Sequence, residues 1–160
     1  MYSRILVPVD GSPTSSRGLE EAIKLAKLTG AQLRLLHVVD ELSAAMGMGG
    51  FAPVTVDVFR LLKEGAEQVL KDATATVQRG NVPVDSVLIE GFAGRLSELV
   101  AQQVRQWDAE LVVLGSHGRR GVGRMLMGSD AEQIIRTCPV PVLVVRAPEA
   151  SEAGETKGPG

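Results

Sequence analysis

Three glycines and a serine have the types and spacing that could hold a phosphate group. The pattern is Gly115-x2-Gly118-x9-Gly128-Ser129. Glycine lets the backbone approach phosphate oxygens without a side chain in the way, and the Ser129 hydroxyl can donate a hydrogen bond. A helix that begins at Ser129 would add unpaired N–H groups and a partial positive charge. The pattern therefore predicts a phosphate-binding loop.

Basic side chains lie inside the same segment. Arg119, Arg120 and Arg124 could make charge-assisted hydrogen bonds to the outer phosphates of a ligand. A competing interpretation is structural: the glycines form turns, Ser129 is an ordinary helix N-cap, and the arginines form a solvated face. The chain contains no GxxxxGK[ST] motif, so the segment is not a Walker loop.

The elements that must position this segment follow from hydrophobic periodicity. Short apolar runs that end at turn residues predict strands at Ile5–Val9, Gln32–Val39, Val84–Glu90, Leu111–Gly115 and Val142–Val145. Between them, apolar residues at helical spacing predict helices from Pro13 to Gly30 and at Val56–Arg79, Leu96–Trp107 and Ser129–Thr137. This alternation predicts one α/β domain with a five-stranded parallel sheet and helices on both faces.

The glycine pattern falls at a favourable place in this architecture. Gly115 ends the fourth strand and Ser129 begins the last helix, and open parallel sheets bind ligands beyond the carboxyl ends of their strands. The glycine- and methionine-rich stretch Ala44–Pro53 is predicted to be a loop, which either closes over a ligand or only connects elements. Residues 147–160 are predicted to form a disordered tail, so the folded domain spans residues 1–146.

Composition excludes several classes of protein. A hydrophobic content of 44% is typical of a globular chain, and 17 basic against 19 acidic residues give no general attraction to nucleic acid. The single cysteine, Cys138, cannot form an internal disulfide. Neither a signal peptide nor an apolar run long enough to span a bilayer is evident. We therefore expect a cytoplasmic protein with no nucleic-acid or membrane partner.

The two histidines are the first candidates for a catalytic or metal site. Ser116 and His117 are a potential nucleophile and base, but neighbouring residues on a turn rarely point at each other. His37 belongs to a different strand and is interpreted as a hydrogen-bonded residue at a strand end. Neither histidine has the partners that a metal site needs. The sequence thus predicts no catalytic residue and no metal ligand.

Four stretches of the chain resemble the ATP-binding branch of the universal stress protein family. They are Ile5-Leu-Val-Pro-Val-Asp-Gly-Ser12, Leu36-His37-Val38, Val113-Leu-Gly-Ser-His-Gly-Arg119 and Cys138-Pro-Val-Pro-Val-Leu-Val-Val-Arg146. The resemblance covers about nine tenths of the chain, from Ile5 to Arg146. It implies a Rossmann-like fold of the adenine nucleotide alpha hydrolase type.

The resemblance also implies a ligand and an assembly. The implied cofactor is ATP with Mg²⁺, with AMP or another adenine nucleotide left open. Asp10 and Val38 would face the adenosine, and the phosphates would be held by Gly115, Gly118, Gly128 and Ser129. The remaining residues of the implied site are Pro8, Val9, Ser116, Arg119 and Asp130. The implied assembly is a homodimer that pairs through the strand Val142–Val145.

Two residues depart from the family pattern, Asp130 and Phe92, of which Phe92 stands in a turn that is often polar in relatives. Asp130 directly follows Ser129, where similar proteins more often carry an uncharged residue. Its carboxylate complements the helix dipole but would repel a γ-phosphate, and alternatively it could hold a divalent ion.

The resulting expectation is a dimeric, nucleotide-dependent regulatory module in the stress response, which acts on an unknown protein partner. The first alternative is a slow ATPase or autophosphorylating protein, which would need an in-line nucleophile and usually Mg²⁺. The second is a nucleotide-free interaction or chaperone protein.

Overall fold

The computed structural model describes residues 1–39, 56–91, 94–116 and 128–146. The predicted loop Ala44–Pro53 and the predicted tail 147–160 lie outside these ranges. The described strands are β1 (Arg4–Pro8), β2 (Gln32–Val38), β3 (Val84–Ile89), β4 (Leu111–Gly115) and β5 (Val142–Val145). The described helices are α1 (Pro13–Thr29), α2 (Val56–Arg79), α3 (Leu96–Trp107) and α4 (Ser129–Thr137). None of these helices is both long and apolar enough to cross a membrane.

Three strands differ by one residue, at one or both ends, from the sequence prediction. The first strand covers Arg4–Pro8 rather than Ile5–Val9, and β2 and β3 end one residue earlier than predicted. Backbone hydrogen bonds continue past these ends, because Val9 N donates to Leu36 O at 2.8 Å and Val39 N donates to Ile89 O at 2.9 Å. Val9 and Val39 therefore still bond to one neighbouring strand although the regular strand has ended before them.

All five strands are parallel, in the order β3-β2-β1-β4-β5. The central strand β1 pairs on both sides, with Ile5 opposite Leu33 of β2 and Leu111 of β4. Its residues Ile5, Leu6 and Val7 are completely buried, as a continuous apolar run predicts for a strand covered on both faces. The predicted five-stranded parallel sheet is confirmed.

The sheet separates two hydrophobic cores. Side chains of α1 and α2 pack with one set of alternating strand residues, which includes Val7 and Leu35. Side chains of α3 and α4 pack with the opposite set, which includes Leu6 and Val112. Alternation of side chains along each strand produces this division, and it confirms the prediction of helices on both faces.

The end of the sheet where β2 and β3 begin is fixed by a cluster of charged and aromatic side chains. Arg34 Nε and Nη2 donate to the two carboxylate oxygens of Asp85, each at 2.8 Å. The Arg34 guanidinium also lies 4.6 Å from the centroid of the Trp107 ring. The hydrogen bond to Asp85 raises the pKa of Arg34 above its ordinary value. Because Trp107 ends α3, these contacts hold α3 to the strands at the end opposite the site described below.

The backbone of helix α1 closely approaches the backbone at the carboxyl end of β4. A Cβ on Gly18 would lie 2.7 Å from Gly115 N and 3.0 Å from Leu114 C. A Cβ on Gly115 would overlap the carbonyl group of Thr14. No side chain fits between these two segments, so the first turns of α1 are held against the end of β4.

We predict that Gly18→Ala lowers the free energy of unfolding by about 1–3 kcal/mol, because the added methyl overpacks a backbone contact that cannot yield. The measurement is urea denaturation followed by circular dichroism. Gly65→Ala in α2 is the matched control, since a Cβ there meets nothing within 4 Å and alanine favours a helix by about 1 kcal/mol over glycine. Equal changes in the free energy of unfolding for the two substitutions would show that Gly18 is not in close contact with the end of β4.

Candidate functional site

A cleft of about 340 Å³ lies beyond the carboxyl ends of β1, β2 and β4. This volume is within the range of small-molecule sites, which is about 300–1,000 Å³. The residues that line it come from these strand ends and from the starts of α1, α3 and α4: Pro8, Val9, Asp10, Ser12, Thr14, Ser15, Leu36, His37, Val38, Gly94, Arg95, Leu96, Leu114, Gly115, Asp130, Ala131 and Ile134. The cleft lies where β1 and β4 are neighbours and the chain connections leave in opposite directions, which is a switch point of the sheet.

The turn between β1 and α1 places Asp10 at the cleft. Gly11 has a φ of 76°, and a Cβ there would also lie 3.1 Å from Val69 Cγ2, so this turn favours glycine strongly. Asp10 Oδ1 accepts a hydrogen bond from Ser12 N at 2.8 Å. The carboxylate is therefore oriented by the same turn that begins α1.

Three buried hydroxyl groups connect this turn to the first turn of α1. Ser12 Oγ accepts from Ser15 N at 3.2 Å as the helix N-cap and lies 3.2 Å from Thr14 Oγ1. Ser15 Oγ in turn accepts from Asp10 N at 3.1 Å. Among the described residues, no buried side-chain nitrogen or oxygen lacks a hydrogen-bond partner. This network makes the wall of the cleft formed by α1 rigid and internally satisfied.

His37 at the end of β2 contacts the end of β1. Its Nδ1 lies 2.6 Å from the carbonyl oxygen of Val9. Because a carbonyl oxygen only accepts hydrogen bonds, Nδ1 carries the proton in this contact. The interpretation of His37 as a hydrogen-bonded strand-end residue is thereby confirmed, and the residue also lines the cleft.

The start of α4 forms the opposite wall. Gly128 is its N-cap residue, and Glu132 N donates to Gly128 O at 3.1 Å to close the first turn. No side chain makes a capping hydrogen bond at this end. Asp130 is exposed in the first turn, where its negative charge is favourable to the helix dipole.

The predicted site residues separate into three groups. Those that line the cleft are Pro8, Val9, Asp10, Val38, Gly115 and Asp130. Those that adjoin it in sequence without lining it are Ser116, Gly128 and Ser129. Gly118 and Arg119 lie outside the described residues, as do Arg120, Arg124 and His117. The assignment of each of these residues to a nucleotide therefore stays a prediction.

Several lining residues were not identified from the sequence. Arg95 lies directly before α3 and lines the cleft. The strand that precedes it in the chain, β3, is at the edge of the sheet and not beside the cleft. Thr14 and Ser15 belong to the run of hydroxyl residues that follows Gly11, and this run at a strand-to-helix junction was the available signal. Nothing comparable marks Arg95, because its position depends on how the sheet is assembled.

The ionisable lining of the described cleft is mixed. Asp10 and Asp130 contribute carboxylates, Arg95 contributes a guanidinium, and His37 contributes an imidazole. Within the described ranges, no three His, Cys, Asp or Glu residues are grouped so that they could hold a metal ion by themselves. A multiply charged anion would thus meet both attractive and repulsive groups.

Comparison with known proteins identifies the family. The family model described as "Universal stress protein family" matches residues 1–146. This chain belongs to the universal stress protein family. Universal stress protein MJ0531 of Methanocaldococcus jannaschii is 31% identical over 150 residues, which cover 93% of this chain and 85% of that protein. The predicted membership of the universal stress protein family is confirmed.

Solved structures of universal stress proteins share the fold. One from Burkholderia pseudomallei is 31% identical, has a TM-score of 0.70 and is matched over 91% of this chain and 97% of its own. A universal stress protein in complex with cAMP has 17% identity, a TM-score of 0.61 and coverage of 91% and 97%. A family member from Arabidopsis thaliana with AMP bound has 15% identity, a TM-score of 0.66 and coverage of 96% and 97%.

We predict that Ser12→Ala lowers the free energy of unfolding by about 1–2 kcal/mol, because it removes the N-cap of α1 and leaves buried donors without a partner. Chemical denaturation measures this change. Ser86→Ala is the control, since Ser86 is exposed on β3 and should change stability by less than about 0.5 kcal/mol. A loss for Ser12→Ala no greater than the loss for Ser86→Ala would show that the network does not stabilise the fold.

Proposed function

We propose that the cleft binds an adenine nucleotide, in the first place ATP, and that binding regulates a dimeric protein of the stress response. The observation that carries this proposal is the convergence of the α1 and α4 N-termini on one cleft at the switch point of the sheet. Helix N-termini attract phosphate through unpaired N–H groups and the helix dipole. The family members solved with AMP and cAMP support an adenine nucleotide as the ligand class.

The two ends of the nucleotide would occupy different walls. We assign the adenosine to the side of Asp10 and Val38, at the ends of β1 and β2. The phosphates would extend toward α4, where the predicted holders are Gly115, Gly118, Arg119, Gly128 and Ser129. No side chain satisfies the first N–H groups of α4 within the described residues, which leaves them suited to an anion.

Asp130 gives a reason for Mg²⁺ to accompany ATP. Its exposed carboxylate stands in the first turn of α4 and lines the cleft, so it would repel an unneutralised γ-phosphate. Carboxylate oxygens are hard ligands of the kind that Mg²⁺ accepts together with phosphate oxygens and water. Asp130 is therefore the residue that would contact the ion, and the ion would supply charge neutralisation there.

We expect ATP with Mg²⁺ to raise the Tm of the native protein by several degrees. A ligand that binds only the folded state adds about 2.7 kcal/mol at a concentration of about 100 times its Kd. Differential scanning fluorimetry measures the shift. A Gly118→Val, Gly128→Val double variant places side chains in the predicted phosphate loop and should lose the shift.

Two results would contradict this proposal. If ATP leaves the Tm of the native protein unchanged, the cleft is not an ATP site. If the native protein turns over ATP repeatedly and Ser129→Ala abolishes the turnover, the protein is an enzyme rather than a binding module.

We infer further that the dimer forms through β5. This strand is at one edge of the sheet and pairs only with β4 among the described strands, so its other edge presents unpaired backbone groups. Leu143 on β5 is 38% exposed, and Ile135 on the neighbouring helix α4 is 41% exposed. A second copy that pairs along Val142–Val145 would cover the free edge and bury apolar surface.

We predict that Leu143→Lys converts the protein to a monomer, because a charge on β5 opposes both burial and edge pairing. Sedimentation velocity measures the assembly state. Leu28→Lys on α1 is the matched control, since Leu28 is 82% exposed and distant in sequence from β5. A monomeric native protein, or a dimer that survives Leu143→Lys, would argue against this interface.

A further inference from the structure

One ring nitrogen of His37 is engaged and the other is an open hydrogen-bond acceptor. Nδ1 donates its proton to the carbonyl of Val9, across 2.6 Å. In the neutral imidazole this arrangement leaves Nε2 unprotonated, with a lone pair that accepts. The tautomer is thus set by the carbonyl of Val9, which directly follows β1, and not by a ligand.

The His37 side chain lines the cleft and is not fully enclosed. His37 is only half-buried, and no buried side-chain nitrogen or oxygen of the described residues is left without a partner. The contact with Val9 is the one hydrogen bond that His37 makes with described residues. Because His37 and Val9 both line the cleft, a ligand in that cleft lies beside the His37 ring.

This acceptor selects the chemistry of the group that meets it. Phosphate oxygens are acceptors themselves, so a neutral imidazole with its proton on Nδ1 cannot bind them through Nε2. The nucleoside part of an adenine nucleotide carries donors, which are the exocyclic amine and the ribose hydroxyls. His37 also lies next to Val38, on the wall assigned above to the adenosine and not to the phosphates.

We propose that His37 is a specificity residue, whose Nε2 accepts a hydrogen bond from the nucleoside part of the bound nucleotide. This inference rests on the proposed function and adds to it a direct contact that selects the ligand. Asp10 lines the same cleft as an acceptor, and Arg95 supplies a donor. His37 thereby favours ligands that present an N–H or O–H group at the end of β2.

A pair of substitutions separates the two ring nitrogens. In His37→Asn the amide nitrogen takes the place of Nδ1, so the bond to Val9 is kept and the acceptor in the cleft is lost. In His37→Gln the longer side chain puts its oxygen near the position of Nε2, so the acceptor is kept and the bond to Val9 is lost. Each variant is the control of the other.

Isothermal titration calorimetry with ATP and Mg²⁺ should show a three- to tenfold weaker Kd, as a rough estimate, for His37→Asn. The Kd of His37→Gln should stay within about twofold of the native value. Without ligand, His37→Gln should have a lower Tm than His37→Asn, because it has lost the bond to Val9. In addition, the ¹⁵N resonance of Nε2 should shift on binding while that of Nδ1 stays. The chain has 2 histidines, so assignment is direct.

Nucleotide analogues identify the donor. Purine riboside triphosphate lacks the exocyclic amine, and 2′-deoxy-ATP and 3′-deoxy-ATP each lack one ribose hydroxyl. The analogue that lacks the group bonded to His37 Nε2 should bind the native protein and His37→Asn with the same Kd. The other analogues should keep the difference between these two proteins.

The outcomes distinguish this inference from the proposed function. If the native protein binds no ATP, both fail together. If the native protein binds ATP and His37→Asn binds it equally well, only the His37 contact is overturned. If both variants lose affinity in proportion to their loss of Tm, His37 is a structural strand-end residue and makes no ligand contact.

Discussion

The backbone contact between α1 and β4 is the constraint on which the site depends. Gly18 and Gly115 leave no side chain between the helix and the strand end, and the carbonyl of Thr14 occupies the space that a Cβ on Gly115 would need. This contact brings the hydroxyl-rich start of α1 beside the end of β4. The start of α1 and the end of β4 are consequently held at one separation by main-chain atoms, which adjust far less than side chains do.

The two helices that point at the cleft differ in how their N-termini are satisfied. The start of α1 is closed by its own residues, since Ser12 caps Ser15 N and Asp10 Oδ1 accepts from Ser12 N. The start of α4 has no side-chain cap within the described residues. An incoming anion therefore gains more at α4, while α1 acts as a rigid wall with polar groups already paired. This asymmetry gives the cleft a direction along which a nucleotide can be oriented.

The sequence was sufficient for the elements and for part of the site. Continuous apolar runs such as Ile5–Val9 identify strands buried on both faces, and the Asp10-Gly11 pair identifies the turn that follows β1. The contact of His37 with Val9 could not be located, because it needs β2 to lie beside β1, and strand order is a property of the assembled sheet. For Gly115 the sequence suggested a phosphate contact or a turn and not the close approach of Thr14, since a sequence does not tell which neighbour a missing side chain makes room for.

The position of β1 at the centre of the sheet also determines when the cleft exists during folding. β1 pairs with β2, its neighbour in sequence, and with β4 from the far half of the chain. Local pairings close short loops, whereas the pairing of β1 with β4 closes a long one and so carries the larger entropic cost. The cleft needs both strand ends, so it is absent until β1 has paired with β4. A ligand that contacts both walls accordingly acts on the completed sheet and slows its unfolding, while the rate of folding stays unchanged.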